Sequence, residues 1–184
     1  MPAAARAGSA VHELRAPAGT AAHLGFALRL LAVLAPKGPV LWAGTAPCWY
    51  PPGLAWQGLD PARCLFAQAT DDTACLGTLE TALRGGMAGV AECAALSRVA
   101  ARRLALAAKN GGSVGLLLRY APARTREDST AFATRWMISP APNEQIKAEL
   151  LYAKSGQPGV YLFETREEQN GATPPALTPL RRAG

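Results

Sequence analysis

The sequence predicts an α/β protein built on a mixed sheet, with parallel core strands, helices on both faces and an antiparallel C-terminal hairpin. Two observations predict this class. Over residues 20–120, short apolar runs alternate four times with stretches of helical periodicity, an order that requires crossover connections between parallel strands. Beyond residue 120 three strand-like runs follow, and the last two flank SGQPG, a turn sequence suited to an antiparallel hairpin.

Helices are predicted where apolar residues recur every three or four positions between start and stop signals. The first runs from Thr20, as its N-cap, to Ala35, because leucines recur at helical spacing and proline and glycine follow. A turn and a short helix are predicted in WYPPGLAWQG. Asp71 and Asp72 open a further helix that ends at a Gly-Gly pair, and another covers about 96–109.

Strands are predicted where short apolar runs stand between these helices. Continuous apolar runs are typical of strands buried on both faces of a parallel sheet. They occur at 39–44 (PVLWAG), 64–68 (CLFAQ), 87–93 (MAGVAEC) and 113–120 (SVGLLLRY). The antiparallel end of the sheet is predicted from the runs at 131–139, 147–153 and 159–164.

Both ends of the chain lack this patterning. Residues 1–18 are rich in Ala, Pro and Gly, and residues 165–184 hold three prolines and no sustained apolar pattern. We therefore predict flexible tails at 1–18 and 165–184 around one folded domain at 19–164.

Length and composition limit the function to that of one folded domain. The chain has 184 residues and a net charge of +6, with fifteen arginines among its nineteen basic residues. Arginine suits forked contacts with phosphate or carboxylate, so a polyanionic partner is compatible with this composition. The apolar stretch 21–35 is too short to span a bilayer and contains His23 and Arg29. Without an apolar signal segment at the start, we expect a cytoplasmic protein with no membrane partner.

The cysteine spacing predicts neither a metal site nor a disulfide framework. Cys48, Cys64, Cys75 and Cys93 form no CxxC pair and lie in otherwise apolar segments. This arrangement favours reduced, buried thiols over a zinc site. We expect no metal and no cofactor.

Motifs for nucleotide binding and catalysis are absent from the sequence. Neither GxxxxGK[ST] nor GxGxxG occurs, and APAGTAAHLG at 16–25 lacks the lysine of a phosphate loop, so it is interpreted as a cap and first helical turn. The two histidines, His12 and His23, both lie near the start. Glu92 ends the third predicted strand, where an enzyme would place a metal-binding or water-activating carboxylate. The alternative for Glu92 is capping, or pairing with a neighbouring arginine. We predict no catalytic residue.

A basic loop is the candidate binding site. Arg119, Arg124 and Arg126 cluster at the carboxyl end of a strand, the edge where open sheets present ligand sites, so they are candidate contacts to DNA phosphate. Because Glu127 and Asp128 lie in the same loop, a solvated surface loop is the alternative.

Two further residue sets favour ordinary structural roles. Arg98, Arg102 and Arg103 share a helix face, which a charged solvent surface explains as well as DNA contact does. The four tryptophans are expected to pack in the core or at its edge rather than to stack on bases. They are Trp42, Trp49, Trp56 and Trp136.

Several segments spread through the chain together resemble one family. They are VHELRA, GFALRLLAVL, PVLWAG, YPPGLAWQGLDPARCLFAQA, TLETALRGGMAGVAE, SRVAARRLALAAKNGGSVGLLLR and STAFATRWMISPAP. Over residues 11–164 the chain resembles the ImuA family in its short alphaproteobacterial form. Its members are RecA-like, damage-inducible accessory proteins of bacterial translesion synthesis.

The resemblance implies a truncated RecA-like domain at 19–164. MAGVAEC would match the strand that ends in the Walker B acid, and the loop 119–130 would match the mobile DNA-binding loop. The phosphate loop expected before GFALRLL is absent. The resemblance thus implies a non-catalytic adaptor in SOS-induced translesion synthesis, not an enzyme.

The implied partners are ImuB, a catalytically inactive Y-family polymerase homologue, and an error-prone DnaE-type polymerase. RecA and single-stranded DNA are further candidates. Two alternatives remain open: a cell-division inhibitor resembling SulA, which would bind the division GTPase, and an active RecA-like ATPase, which would bind nucleotide.

Overall fold

Nine strands within the described residues form a single sheet in the order β3-β2-β4-β5-β1-β6-β7-β8-β9. The computed structural model describes residues 8–35, 37–46, 50–121, 130–143, 145–164 and 181–183. The strands are β1 (Ala10–Ala16), β2 (Val40–Gly44), β3 (Cys64–Gln68), β4 (Ala88–Glu92), β5 (Val114–Tyr120), β6 (Thr134–Ala141), β7 (Gln145–Ala153), β8 (Gly159–Glu164) and β9 (Arg181–Ala183). The helices are α1 (Ala22–Leu34), α2 (Pro51–Trp56), α3 (Asp72–Arg84) and α4 (Arg98–Gly111), with a 3-10 turn at Pro61–Arg63.

The sheet is parallel from β3 to β6 and antiparallel from β6 to β9. One apolar core lies under α1 and α2, and a second lies on the opposite face under α3 and α4. The predicted fold class, a RecA-like mixed sheet with helices on both faces and an antiparallel hairpin (β7 and β8), is therefore confirmed.

The predicted N-terminal tail is wrong for residues 10–16, which form β1 at the centre of the sheet. β1 lies between β5 and β6 and is parallel to both. Leu14 belongs to the core under α1, and Val11 belongs to the core under α3 and α4. The strand escaped prediction because His12, Glu13 and Arg15 make its sequence polar, although all three side chains are buried.

Two further predictions at the domain boundaries need correction. The N-cap of α1 is Ala21 rather than Thr20, whose hydroxyl donates instead to the Pro17 carbonyl at 3.3 Å. Within the predicted C-terminal tail, the backbone of Arg181–Ala183 pairs antiparallel with β8, while residues 165–180 lie outside the described residues.

Helices α3 and α4 meet closely at their C-terminal ends. A Cβ atom on Gly111 would lie 1.9 Å from the carbonyl oxygen of Leu83, so only glycine permits this approach. Gly112 then ends α4 in the left-handed conformation, with φ of 67°.

Candidate functional site

The candidate site surrounds Glu13 in the middle of β1, between the carboxyl end of β5 and the amino end of β6, on the sheet face covered by α3 and α4. The predicted DNA-binding loop connects β5 to β6 at this place. Of the three predicted contacts, only Arg119 falls within the described residues, because Arg124 and Arg126 belong to 122–129.

Arg119 points into the protein instead of towards solvent. Its side chain is 8% exposed. Nη1 donates to Glu13 Oε1 at 2.9 Å, and Nε and Nη2 donate to the Ala94 carbonyl at 3.2 and 2.8 Å. This arginine therefore anchors the base of the loop and does not present its charge at the surface.

Glu13 is the centre of a buried ionic cluster. Its carboxylate is inaccessible to solvent and accepts hydrogen bonds from three guanidinium groups. Arg15 Nε and Arg119 Nη1 each lie 2.9 Å from Oε1, and Arg135 Nε lies 2.7 Å from Oε2. We call Glu13, Arg15, Arg119 and Arg135 the Glu13 cluster.

The cluster makes Glu13 a stable buried anion. Burial by itself would raise the pKa of this carboxyl group, but the hydrogen bonds and charges of Arg15 and Arg135 hold its pKa below the usual value. Removing the carboxylate would leave buried guanidinium groups without this partner, a change that is strongly destabilising.

Strand register explains why these residues meet. Alternation along β1 places Glu13 and Arg15 on the same face as Val11. The parallel pairing sets Arg15 beside Arg119 and Glu13 beside Arg135. Arg119 is the penultimate residue of β5, and Arg135 is the second residue of β6. A single carboxylate thus ties together the two strand ends from which the candidate DNA-binding loop emerges.

Sequence reasoning missed Glu13, Arg15 and Arg135 as members of this site. The available signal was the two-residue spacing of opposite charges in VHELRA, which a strand presents on one face. That signal was hidden because residues 1–18 were interpreted as a tail.

Glu92 lies at the carboxyl end of β4, as predicted, and is bound to a tryptophan. Its Oε1 accepts a hydrogen bond from Trp42 Nε1, so its partner is not the neighbouring arginine that we considered. Burial raises the pKa of Glu92, while the Trp42 hydrogen bond lowers it by a smaller amount. The Glu92 backbone carbonyl accepts from Cys75 Sγ at 3.4 Å.

The connection from β1 to α1 occupies the place of a phosphate loop in a RecA-like sheet. It consists of residues 17–21, in which Gly19 has φ of 81°. The hydroxyl of Thr20 is engaged with the Pro17 carbonyl, and the cap residue Ala21 has no side-chain hydrogen bond to offer.

Both histidines are buried. His12 Nδ1 lies 2.7 Å from Thr134 Oγ1, and that hydroxyl oxygen accepts a hydrogen bond from Trp136 Nε1 at 2.8 Å. The His23 ring packs edge-on against Tyr120, with 4.8 Å between ring centroids. Burial lowers the pKa of each histidine to about 4, so both are neutral at neutral pH.

The described cysteines are free thiols. Burial raises the pKa of Cys75 to about 11 and that of Cys93 to about 12, so both thiols stay protonated at neutral pH. Cys64 is also a free thiol. Cys48 lies outside the described residues. In the part of the chain that the structure describes, no group of three His, Cys, Asp or Glu side chains is placed to hold a metal ion.

The tryptophans divide between core and surface. Trp42 and Trp136 are buried, as predicted, whereas Trp56 is 60% exposed and packs against Tyr50 with 6.0 Å between ring centroids. Trp49 is outside the described residues. Among the described helices, none is long and apolar enough to cross a membrane.

The strand order, with helices on both faces of a sheet that is parallel from β3 to β6, defines a protein of the RecA-like α/β class. The chain is similar to Protein ImuA of two strains of Caulobacter vibrioides. Identity is 31% over an alignment 157 positions long, and the match covers 74% of this chain and 64% of each relative. This similarity confirms the resemblance to the ImuA family that was inferred from the sequence.

The chain spans 64% of the length of the curated relatives that it matches. No protein-family model matches it.

Proposed function

We propose that this chain is a non-catalytic accessory protein of SOS-induced, error-prone translesion DNA synthesis. It acts with an ImuB-like inactive Y-family polymerase homologue and an error-prone DnaE-type polymerase in the cytoplasm. The observation that carries the proposal is the similarity to Protein ImuA over 74% of the chain. RecA and single-stranded DNA are its further proposed partners.

The β1–α1 connection supports an adaptor rather than an ATPase. Nucleotide hydrolysis in RecA-like proteins requires a backbone cradle and a lysine that reaches the β and γ phosphates. Residues 17–21 contain no lysine, and the Thr20 hydroxyl is used within the turn. Glu92, at the place of the Walker B acid, is bound to Trp42 instead.

The Glu13 cluster supports a role for the loop between β5 and β6 in DNA contact. Arg119 and Arg135 fix the two ends of the loop on one buried carboxylate, so a rigid base carries it. Arg124 and Arg126 then provide the phosphate contacts, while Arg119 serves as the anchor. Two phosphate contacts give weak, salt-dependent binding.

The proposal is tested by measuring damage-induced mutation in the host. Deleting the gene should lower the frequency of mutations induced by ultraviolet light without changing the spontaneous frequency. The full chain supplied from a plasmid should restore the induced frequency, and the empty plasmid is the control. An unchanged induced frequency in the deletion strain would contradict the proposed function.

A further inference from the structure

A groove of about 540 Å³ lies between the N-terminal parts of α3 and α4. Its apolar lining includes Leu76, Leu96 and Leu104. The helices touch at their C-terminal ends through Gly111, so the opening is confined to their N-terminal parts. We call this feature the α3–α4 groove.

Two apolar side chains stand exposed on α4, one in the groove and one further along the helix. Val99, which lines the groove, is 67% exposed, and Leu106 is 59% exposed. They are seven residues apart, so they lie on one stripe of the helix, two turns from each other. An exposed valine in the groove and an exposed leucine two turns further along the same helix stripe are anchors of the kind that a partner helix covers.

The surface around these anchors is cationic. Helix α4 carries four basic residues and no acidic residue: Arg98, Arg102, Arg103 and Lys109. The acidic residues of the groove are already engaged within the protein. Glu80 binds Arg84 at 2.7 Å and Arg103 at 2.6 Å. Asp72 accepts the backbone N–H groups of Ala94 and Ala95 at 3.1 and 2.6 Å.

We propose that the α3–α4 groove docks an acidic, amphipathic helical segment of a protein partner. The apolar stripe of that helix lies over Val99 and Leu106 and fills the groove, and its carboxylates face the cations of α4. This inference rests on the proposed adaptor function, because an adaptor needs such a surface.

A nucleic acid fits this surface less well than an acidic helix does. Phosphates gain nothing from the apolar stripe that Val99 and Leu106 form. An acidic helix uses both the apolar anchors and the remaining positive charge.

The test uses the full ¹⁵N-labelled chain and a designed helical peptide with leucines on one face and glutamates on the other. Nuclear magnetic resonance titration should show saturable shifts confined to α3 and α4. The same peptide with lysine in place of every glutamate should not bind. A single-stranded oligonucleotide, as the competing class of ligand, should leave α3 and α4 unshifted.

Variants identify which side chains hold the peptide. Val99→Ala combined with Leu106→Ala should weaken peptide affinity about tenfold or more, because both apolar anchors are removed. Arg102→Gln combined with Lys109→Gln should weaken binding and reduce its salt dependence. Val33→Ala is the matched control, since Val33 is 46% exposed on α1, across the sheet.

Absence of peptide binding, shifts outside α3 and α4, or unchanged affinity of the Val99 and Leu106 variant would each overturn the docking inference. Binding of the oligonucleotide at this face would overturn it in favour of a nucleic-acid surface. The mutation-frequency assay separates the two proposals. If the peptide binds but deletion of the gene leaves the induced mutation frequency unchanged, the docking inference stands and the proposed function is refuted. If the peptide does not bind but deletion lowers the induced mutation frequency, only the docking inference is refuted.

Discussion

Glu13 Oε2 accepts a 2.7 Å hydrogen bond from Arg135 Nε across the parallel pair β1 and β6, and both side chains are buried. The same carboxylate holds Arg119 on the opposite neighbour of β1. The strands β5, β1 and β6 are thereby joined by one anion in the middle of β1. The strand residues on either side of the loop between β5 and β6 are therefore held by a charge that lies in the protein interior.

Replacing Glu13 with Gln should destabilise the protein by about 3 kcal/mol, because the buried guanidinium groups would lose their negative partner. Urea denaturation followed by circular dichroism measures the change. Glu149→Gln is the matched control, since Glu149 is 42% exposed and its Lys147 partner lies 3.7 Å away, so its loss should cost less than about 0.5 kcal/mol. Equal effects of the two variants would show that the Glu13 cluster does not stabilise the fold.

The loop arginines should separate into an anchor and two DNA-binding side chains. Arg124→Ala combined with Arg126→Ala should flatten the slope of log affinity against log salt by about 1.4 units, at roughly 0.7 for each single-strand phosphate that is no longer neutralised. Fluorescence anisotropy with a labelled single-stranded oligonucleotide measures this slope. Lys147→Ala, which removes a surface charge on β7, should leave the slope unchanged.

Arg119→Ala should lower the free energy of unfolding and should not itself change the salt dependence of DNA binding. The reason is that the Arg119 guanidinium is bound to Glu13 and to the Ala94 carbonyl. If the Arg124 and Arg126 variant keeps the parent slope, the loop is ordinary surface and its proposed role in DNA binding is wrong.

Acid should destabilise the fold through the two buried histidines. Their pKa values are about 4 in the folded protein, against 6.5 for an ordinary histidine, so the unfolded chain binds more protons between these values. The stability that comes from keeping these histidines neutral is therefore fully present above pH 6.5 and is lost as the pH falls towards 4. The free energy of unfolding should drop by at most about 3 kcal/mol for each histidine. Urea denaturation at several pH values measures the loss.

The variant carrying His12→Gln and His23→Gln contains no histidine, since the chain has only two. Its unfolding free energy should depend less steeply on pH in this range, whatever its absolute stability. Glu92 acts in the opposite direction, because its raised pKa makes the folded state bind more protons. An identical pH dependence in the parent and the variant would show that the histidines do not titrate as described.

ATP should not bind. Residues 17–21 offer no phosphate-loop lysine, so titration calorimetry with ATP and magnesium should give no binding heat beyond dilution. ADP serves as the control for binding without the γ-phosphate. Saturable, tight binding of ATP would favour the active RecA-like ATPase over the adaptor.

Much of the fold could be predicted from the sequence, because β2 to β5 are short apolar runs that alternate with periodic helices. β1 could not, since its polar residues satisfy one another only after β5 and β6 have been placed beside it. The candidate site was missed for the same reason. The sequence pattern placed Arg119 correctly at the carboxyl end of β5 but did not indicate that its side chain faces Glu13.

Affinity purification of the tagged chain from DNA-damaged host cells, followed by quantitative mass spectrometry, tests the adaptor proposal most directly. An inactive Y-family polymerase homologue and a DnaE-type polymerase should be enriched over a tag-only control, and the enrichment should rise after damage. Enrichment of the division GTPase with no polymerase component would contradict the proposal and favour the SulA-like alternative.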